Sequence, residues 1–399
     1  MSEPDVSELL TVAHAIAIID TATASPRIVD VAIAEADGLV LAGEIRADRD
    51  YPPFDKSLMD GYAVRCADVS SAPVELRVVG EIAAGAQAAR ALAPNETMAI
   101  MTGAPMPAGA DGVVPVEDSE KSGTRVKILR ATAPGRFIAQ RGNDVRRGDV
   151  VLEKGMKLNP AALAVAASVG ATTVSVCAKP RVAVLSTGDE LVPIDQTPRE
   201  SQIRNSNSIM LAALLRRIGC DVTDLGIVRD DPDLTRKALL NGMKHDALFV
   251  TGGMSMGAYD YVPRTLIELG AELKITKLRI KPGKPFVFAV KDGRFVFGLP
   301  GNPLAGFVCT VRLASRLIAR LRGEQPRERW LEGKLAEALP ANGPREFYQP
   351  ARVSDGVVHP LGWKGSADVF TLARADGLLV RAENEPALAA GDVVRVLEV

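Results

Sequence analysis

The chain has 399 residues, more than one hydrophobic core usually organises, so two or more domains are expected. Its 48 Lys and Arg against 49 Asp and Glu leave a net charge of -1, and aromatics make up 4%, which excludes the broad basic footprint and the stacking platforms of nucleic-acid binders. Four scattered cysteines (Cys66, Cys177, Cys220, Cys309) without a CxxC pair signal neither a zinc site nor a disulfide framework, and no apolar run reaches the roughly 18 residues of a membrane span, so a soluble, cytoplasmic chain is expected.

In chain order, Leu9, Leu10, Ala13, Ile16 and Ile18 recur near a 3.6 period, and the first forty-odd residues read as helical. Over residues 51–144 short β-prone runs such as VELRVVGEIAAG and DGVVPVED are punctuated by Gly and Pro, the texture of a separate β-rich domain. A strand-like run and an alanine-rich helix follow, the helix starting at Asn159-Pro160, a cap residue before a proline. From Arg181 strand and helix patterns alternate (RVAVLSTGDEL, NSIMLAALLRRIG, DVTDLGIVRDD, LTRKALLNGMK, DALFVTGG), the signature of a doubly wound α/β domain with a mostly parallel sheet. A hairpin turning at Lys291-Asp292-Gly293 and a long helix over 304–322 close it. After Pro326 short strands return, over 348–353, 378–381 and 392–399, suggesting a small C-terminal β domain.

Ligands of open α/β sheets bind beyond the carboxyl ends of the strands, and there this chain places its polar residues. The strand ends lead into Thr187-Gly188-Asp189-Glu190, Arg229-Asp230-Asp231, the TGGMSMGAYD run of 251–260, and Leu299-Pro300-Gly301-Asn302-Pro303. In TGGMSMG, glycines 252, 253 and 257 permit positive φ, so that backbone N–H groups and Ser255 suit a phosphate; a ligand-free glycine turn fits equally well. Glu190, Asp230 and Asp260 offer oxygens for Mg2+, with helix N-caps as the competing reading of any single acid. In ITKLRIKPGKP the alternation sends Lys277, Arg279 and Lys281 to one face, either an anion site or a solvated edge strand. Pro282, Gly283 and Pro285 stiffen the turn that aims Lys284. The three histidines, His14, His245 and His359, lie outside every motif, and no Ser/His/Asp or Cys/His set is supported.

Seven motifs then stand in one order: PPFDKSLMDGYAVR (52–65), MTGAPMPAGAD (101–111), STGDEL (186–191), NSN (205–207), TGGMSMGAYD (251–260), IKPGKP (280–285) and GLPGNP (298–303). Together they resemble, over essentially the whole chain, the molybdopterin molybdenumtransferases, the bacterial MoeA type that is similar to the E-domain of gephyrin. The resemblance implies four domains: a linking and dimerisation domain (1–45 plus 146–178), an inserted β-rich domain (46–145), an α/β molybdopterin-binding domain (179–325) and a C-terminal β-barrel-like domain (326–399). It also implies an elongated homodimer whose active site is shared between the α/β domain of one subunit and the inserted domain of the other.

Positions carried over from the family's motifs are Asp60, Thr102, Asp144, Glu190, Asp230, Asp260, Lys277 and Lys281 for catalysis, and Pro300, Pro303, Arg352 and Ser366 beside them. Thr187, Gly188, Asn205, Ser206, Asn207, Gly252, Gly253, Ser255, Gly257, Lys284, Gly301 and Asn302 complete the expected substrate contacts. The implied reaction inserts molybdenum from molybdate into adenylylated molybdopterin, releases AMP and uses Mg2+. Other cofactor-biosynthesis proteins are further partners to expect. Two rivals stay open: adenylylation of molybdopterin by ATP, as related stand-alone α/β domains perform, and a non-enzymatic scaffold, since the gephyrin relative also binds receptor segments.

Overall fold

The structure, a computed structural model, describes residues 9–254 and 260–399. The chain folds into two compact units, one of Met1–Val29 with Ser175–Val399 and one of Asp30–Val174.

In the first unit, helix α1 (Val12–Thr21) is capped by Thr11, whose side chain accepts from the His14 N–H. The α/β domain follows as β1 (Arg181–Thr187), α2 (Ser206–Arg217), β2 (Asp221–Val228), α3 (Pro232–Gly242), β3 (Ala247–Thr251), α4 (Tyr261–Glu268), β4 (Glu272–Ile275), β5 (Ile280–Lys281), β6 (Val287–Lys291) and β7 (Arg294–Leu299). Six of these strands form one sheet in the order β2-β1-β3-β7-β6-β4; β5 stands outside it. The pairs β2–β1, β1–β3 and β3–β7 are parallel, and the β6–β7 and β4–β6 pairs antiparallel. The β6–β7 turn has Asp292 and Gly293 at φ 49° and 71°, the two positive values a tight primed turn requires.

Strand residues alternate between two cores, as a period of two demands. Val182, Val184, Ala247, Phe249, Phe295 and Phe297 face α1, α2 and the C-terminal helix, whereas Ala183, Leu185, Leu248, Val250 and Val296 face α3 and α4 through Leu239, Val262 and Leu266. The Phe249 and Phe297 rings lie 4.9 Å apart and those of Phe288 and Phe297 5.1 Å. Each fully buried ring of this kind contributes about 1.5–3 kcal/mol.

The helix expected over 304–322 is present but not uniform: α5 (Pro303–Cys309) passes through a wider π turn (Thr310–Ala314) into α6 (Ser315–Leu321). On this stretch Arg312 donates to the Tyr348 hydroxyl at 2.6 Å, and Arg316 pairs with Asp20 at 2.6 Å and Glu328 at 2.8 Å. These bonds tie α1, the helix and the C-terminal strands together. Those strands are β8 (Trp330–Leu335), β9 (Glu346–Ser354), β10 (Val357–Pro360), β11 (Gly377–Arg381) and β12 (Val393–Glu398), with α7 (Val369–Leu372) before β11. Their order β9-β10-β8-β12-β11 closes through a β9–β11 pairing into a five-stranded barrel. Short β5 adds in parallel to β9, Lys281 opposite Phe347.

In the second unit a six-stranded sheet runs in the order Gly112–Pro115, Gly61–Val64, Glu96–Ile100, Val74–Ile82, Arg125–Ile128, Ser119–Ser122. Its two faces bury Tyr62, Val64, Leu76 and Val126 on one side and Ala63, Ile82, Met98 and Ile100 on the other. The Asn159-Pro160 helix start is present, with Asn159 Oδ1 accepting from the Ala162 N–H at 2.8 Å. The helical reading of the first forty-odd residues is corrected: the helix ends at Thr21, and Ile28–Ala32 is a strand. Three of the five residues of IVDVA are β-branched, a composition that suits a pleated strand better than a helix.

Candidate functional site

The sheet order reverses direction between β1 and β3, so the crevice beyond their carboxyl ends is the topological switch point where such folds bind ligands. Backbones crowd there. Gly252 has φ +88°, and a Cβ on it would stand 2.3 Å from the Thr187 carbonyl oxygen, so glycine is required both for conformation and for space. Beside it the Thr187 side chain is 4% exposed as a residue, and its Oγ1 makes no hydrogen bond among the described residues. A Cβ on Gly188 would lie 2.5 Å from Glu190 Oε2, which shows the Glu190 carboxylate folded back over the β1 turn. Beneath the rim Thr251 Oγ1 donates to Ser186 Oγ at 3.2 Å, and Ser186 Oγ donates to Asn205 Oδ1 at 3.1 Å.

One side of the rim is acidic. The Asp230 carboxyl is held above its ordinary range by burial first, then by the charges of Asp189, Glu190 and Asp260. The Asp230 N–H also donates to Asp189 Oδ1 at 3.3 Å. Asp231, by contrast, is the N-cap of α3 and accepts from the Leu234 N–H at 2.8 Å. Among the described residues no group of three or more His, Cys, Asp or Glu side chains is gathered as a metal cage. The acids nonetheless offer only hard oxygen donors, and a cation bound there would offset the charges gathered around Asp230. That donor set fits Mg2+, which is commonly held by one or two carboxylates plus substrate phosphates.

The other side is built from helix starts. Asn205 caps α2, its Oδ1 accepting from the Ser208 N–H at 3.3 Å; Ser206, exposed, opens the helix. Asn207 Nδ2 donates to the Gly301 carbonyl at 2.7 Å, and a Cβ on Gly301 would lie 3.7 Å from the Gly252 Cα, so the NSN, TGG and PGNP segments meet. The buried Asn207 Oδ1 makes no hydrogen bond among the described residues. Pro300 and Pro303 bracket Asn302, whose Nδ2 donates to Ser366 Oγ at 2.8 Å; the Leu304 N–H donates to the Ser366 carbonyl at 3.1 Å. A barrel-domain loop is thereby joined to the rim.

The cationic stretch 277–281 alternates in burial, with Leu278 and Ile280 fully buried. Only Ile280–Lys281 is a strand, however, and the expected trio of cations is corrected: Arg279 is committed to Glu383 at 3.2 Å and to the Leu9 carbonyl at 2.9 Å. Lys277, Lys281 and Lys284 are half-buried, and the Lys284 carbonyl accepts from the Leu278 N–H, fixing the turn. Ser255 and Gly257 lie outside the described residues, and Gly253 has φ +65°. Arg352 is exposed on β9, in register with His359.

In the second unit Asp60 and Thr102 come together: the Thr102 N–H and Oγ1–H donate to Asp60 Oδ1 at 2.7 and 2.9 Å. These two bonds hold the Asp60 carboxyl below its usual range. Asp144 is exposed, its N–H bonded to the Tyr51 carbonyl. Sequence reasoning missed the buried Ser186–Thr251 pair and the aromatic neighbours of Lys281, Phe347 and Trp363.

Comparison with known proteins accounts for nearly the entire chain. Residues 10–170 match the MoeA N-terminal region (domain I and II), 183–320 a probable molybdopterin binding domain, and 332–399 the MoeA C-terminal region (domain IV). A molybdopterin molybdenumtransferase of Nostoc sp. is 36% identical, over 91% of this chain and 87% of that protein. One of Synechococcus elongatus is 35% identical, over 92% and 93%. The crystal structure of a molybdopterin biosynthesis moeA protein from Pyrococcus horikoshii superposes with a TM-score of 0.87 at 30% identity, covering 98% of this chain and 99% of that one. With relatives 35–36% identical over about nine-tenths of its length and the strand-end motifs gathered as described, the chain belongs to the molybdopterin molybdenumtransferase family.

Proposed function

We propose that this chain is a molybdopterin molybdenumtransferase of molybdenum cofactor biosynthesis, which takes adenylylated molybdopterin and molybdate, releases AMP and leaves molybdenum on the pterin. The observation that carries the reading is the rim itself, where segments from the ends of β1, β3 and β7, the start of α2 and the Ser366 loop meet beside the acids that surround Asp230.

In this reading the backbone around Gly252 and Gly253 and the buried Thr187 and Asn207 oxygens receive polar groups of the pterin adenylate. Lys281 and Lys284, with Asn302, hold molybdate, a tetrahedral dianion, by charge and directed N–H groups. Glu190, Asp230 and Asp260 would hold magnesium, which when bound supplies positive charge against the adenylate's phosphates. Water then hydrolyses the phosphoanhydride, leaving AMP and a pterin phosphate. Lys277 at the cationic side, and Asp60, Thr102 and Asp144 of the inserted domain, complete the site from a partner subunit in a cytoplasmic homodimer. Among the described residues no helix is long and apolar enough to cross a membrane.

The test is to incubate the purified protein with adenylylated molybdopterin, Mg2+ and molybdate, and to follow AMP and pterin-bound molybdenum. A parallel reaction holds ATP and free molybdopterin. AMP release with metal loading supports insertion; consumption of ATP to adenylylate free molybdopterin rejects it. For the shared site, a mixture of Asp60→Ala and Lys281→Ala proteins is expected to regain molybdenum loading, which each variant lacks alone. Half the dimers are then mixed and each carries one intact site, giving about a quarter of the wild-type rate; no recovery rejects the sharing.

A further inference from the structure

Lys281 is held in an unusual way for a lysine beside a barrel strand. Its strand partner is Phe347 of β9, and its neighbour Ile280 is fully buried, so alternation turns the Lys281 side chain away from the core. The ammonium nitrogen lies 4.7 Å from the centroid of the Phe347 ring and 5.9 Å from that of Trp363. The two rings stand 5.5 Å apart at an interplanar angle of 37°, and form the walls of a corner around the nitrogen. Two residues earlier the chain does the opposite: Arg279 is neutralised by Glu383 at 3.2 Å. Trp363 belongs to the same short stretch as Ser366, whose hydroxyl accepts from Asn302, so one loop brings both the ring and the hydroxyl to the rim.

The chemistry of the two kinds of partner differs. A carboxylate beside Lys281 would cancel its charge and occupy its N–H donors. Aromatic faces attract the cation through their quadrupole while adding no net charge and only a weak acceptor. Among the described residues no carboxylate pairs with this ammonium, so the rings fix it in place while its N–H donors can turn to an anion. We infer that Phe347 and Trp363 are positioning residues that hold the Lys281 ammonium in place and oriented for the tetrahedral oxyanion, and that they set how tightly molybdate is bound. The inference rests on the insertion reading for its substrate, but its physical content is oxyanion binding at Lys281.

The chain has two tryptophans, Trp330 and Trp363, so a Trp330→Phe protein carries Trp363 as its sole indole reporter. Titration of that protein with molybdate, and separately with tungstate, is expected to change the indole emission saturably, and Lys281→Met in the same background to abolish the change. In the loading assay Trp363→Ala is expected to raise the KM for molybdate roughly three- to thirty-fold, the span of a cation–π contact, with kcat retained. Trp363→Phe is expected to recover most of the loss, which a merely structural role in the loop would not predict. If molybdate binding and KM are the same in wild type and Trp363→Ala, or if Trp363→Phe is as impaired as Trp363→Ala, the inference is overturned while the insertion reading stands. If the emission of Trp363 responds to both oxyanions through Lys281 but no molybdenum is loaded, the insertion reading falls and the inference stands.

Discussion

Glu96 shows how one side chain sets a local pH response. It is 6% exposed in a strand of the second unit, paired with Arg90 at 2.6 Å, bonded also by Arg77 and the Ala93 N–H. The Arg90 contact above all holds its carboxyl down at about 2, from an ordinary value of 4.5. A lowered folded-state value means the ionised form is the one that stabilises. Its contribution is complete above pH 4.5 and is lost as pH falls from there towards about 2. Wild-type protein followed by chemical denaturation is therefore expected to weaken over that interval more steeply than Glu96→Gln, which carries no titrating carboxyl. Parallel curves for the two would contradict the assignment. The same logic runs the other way at Asp230, whose carboxyl is raised by burial and by three neighbouring acids, the electrostatic condition that a bound cation relieves.

At the scale of elements, the turn after β3 is the most constrained segment of the rim. Gly252→Ala combines a left-handed backbone with a Cβ 2.3 Å from the Thr187 carbonyl, so the turn must move. The expected cost is about 1–3 kcal/mol of stability and, because displacement by an ångström misaligns bound substrate, roughly a hundred-fold loss of AMP release. Denaturation and turnover measured together check this, and wild-type turnover in Gly252→Ala would show that the turn does not shape the site. The strands and helices around this turn were legible because their patterns are strong: β1, β3 and β7 each hold a continuous apolar stretch (VAVL, ALFV and FVF), and α2 and α3 begin at Asn205 and Asp231 caps. The π turn at Thr310–Ala314 was not, since widening one turn barely disturbs a helical apolar stripe. Nor was the strand Ile28–Ala32, where a run of five residues is too short to separate two periods.

At the scale of the whole molecule, the motifs are spread over most of the sequence, but the fold gathers those of the α/β domain at one sheet end and adds a loop from the closed barrel. The gathering of Thr187, Gly252 and Gly301 was readable from strand ends alone, whereas Asn207 came with the motifs of the family resemblance. The parts supplied by distant segments were not: Ser366 was reached only through the family resemblance, and Phe347 and Trp363 sit in no motif. Asp60 with Thr102 likewise reads as an ordinary turn and strand end until the resemblance is recognised. In the proposed function, labour is divided, with acids serving the adenylate and lysines serving molybdate. The measurement that tests this most directly is the ratio of AMP released to molybdenum retained on the pterin, in wild type, Asp230→Asn and Lys281→Ala. The account predicts equal amounts in wild type, loss of both in Asp230→Asn, and AMP release without molybdenum retention in Lys281→Ala. AMP release by wild type with no molybdenum retained, or full retention by Lys281→Ala, would contradict it.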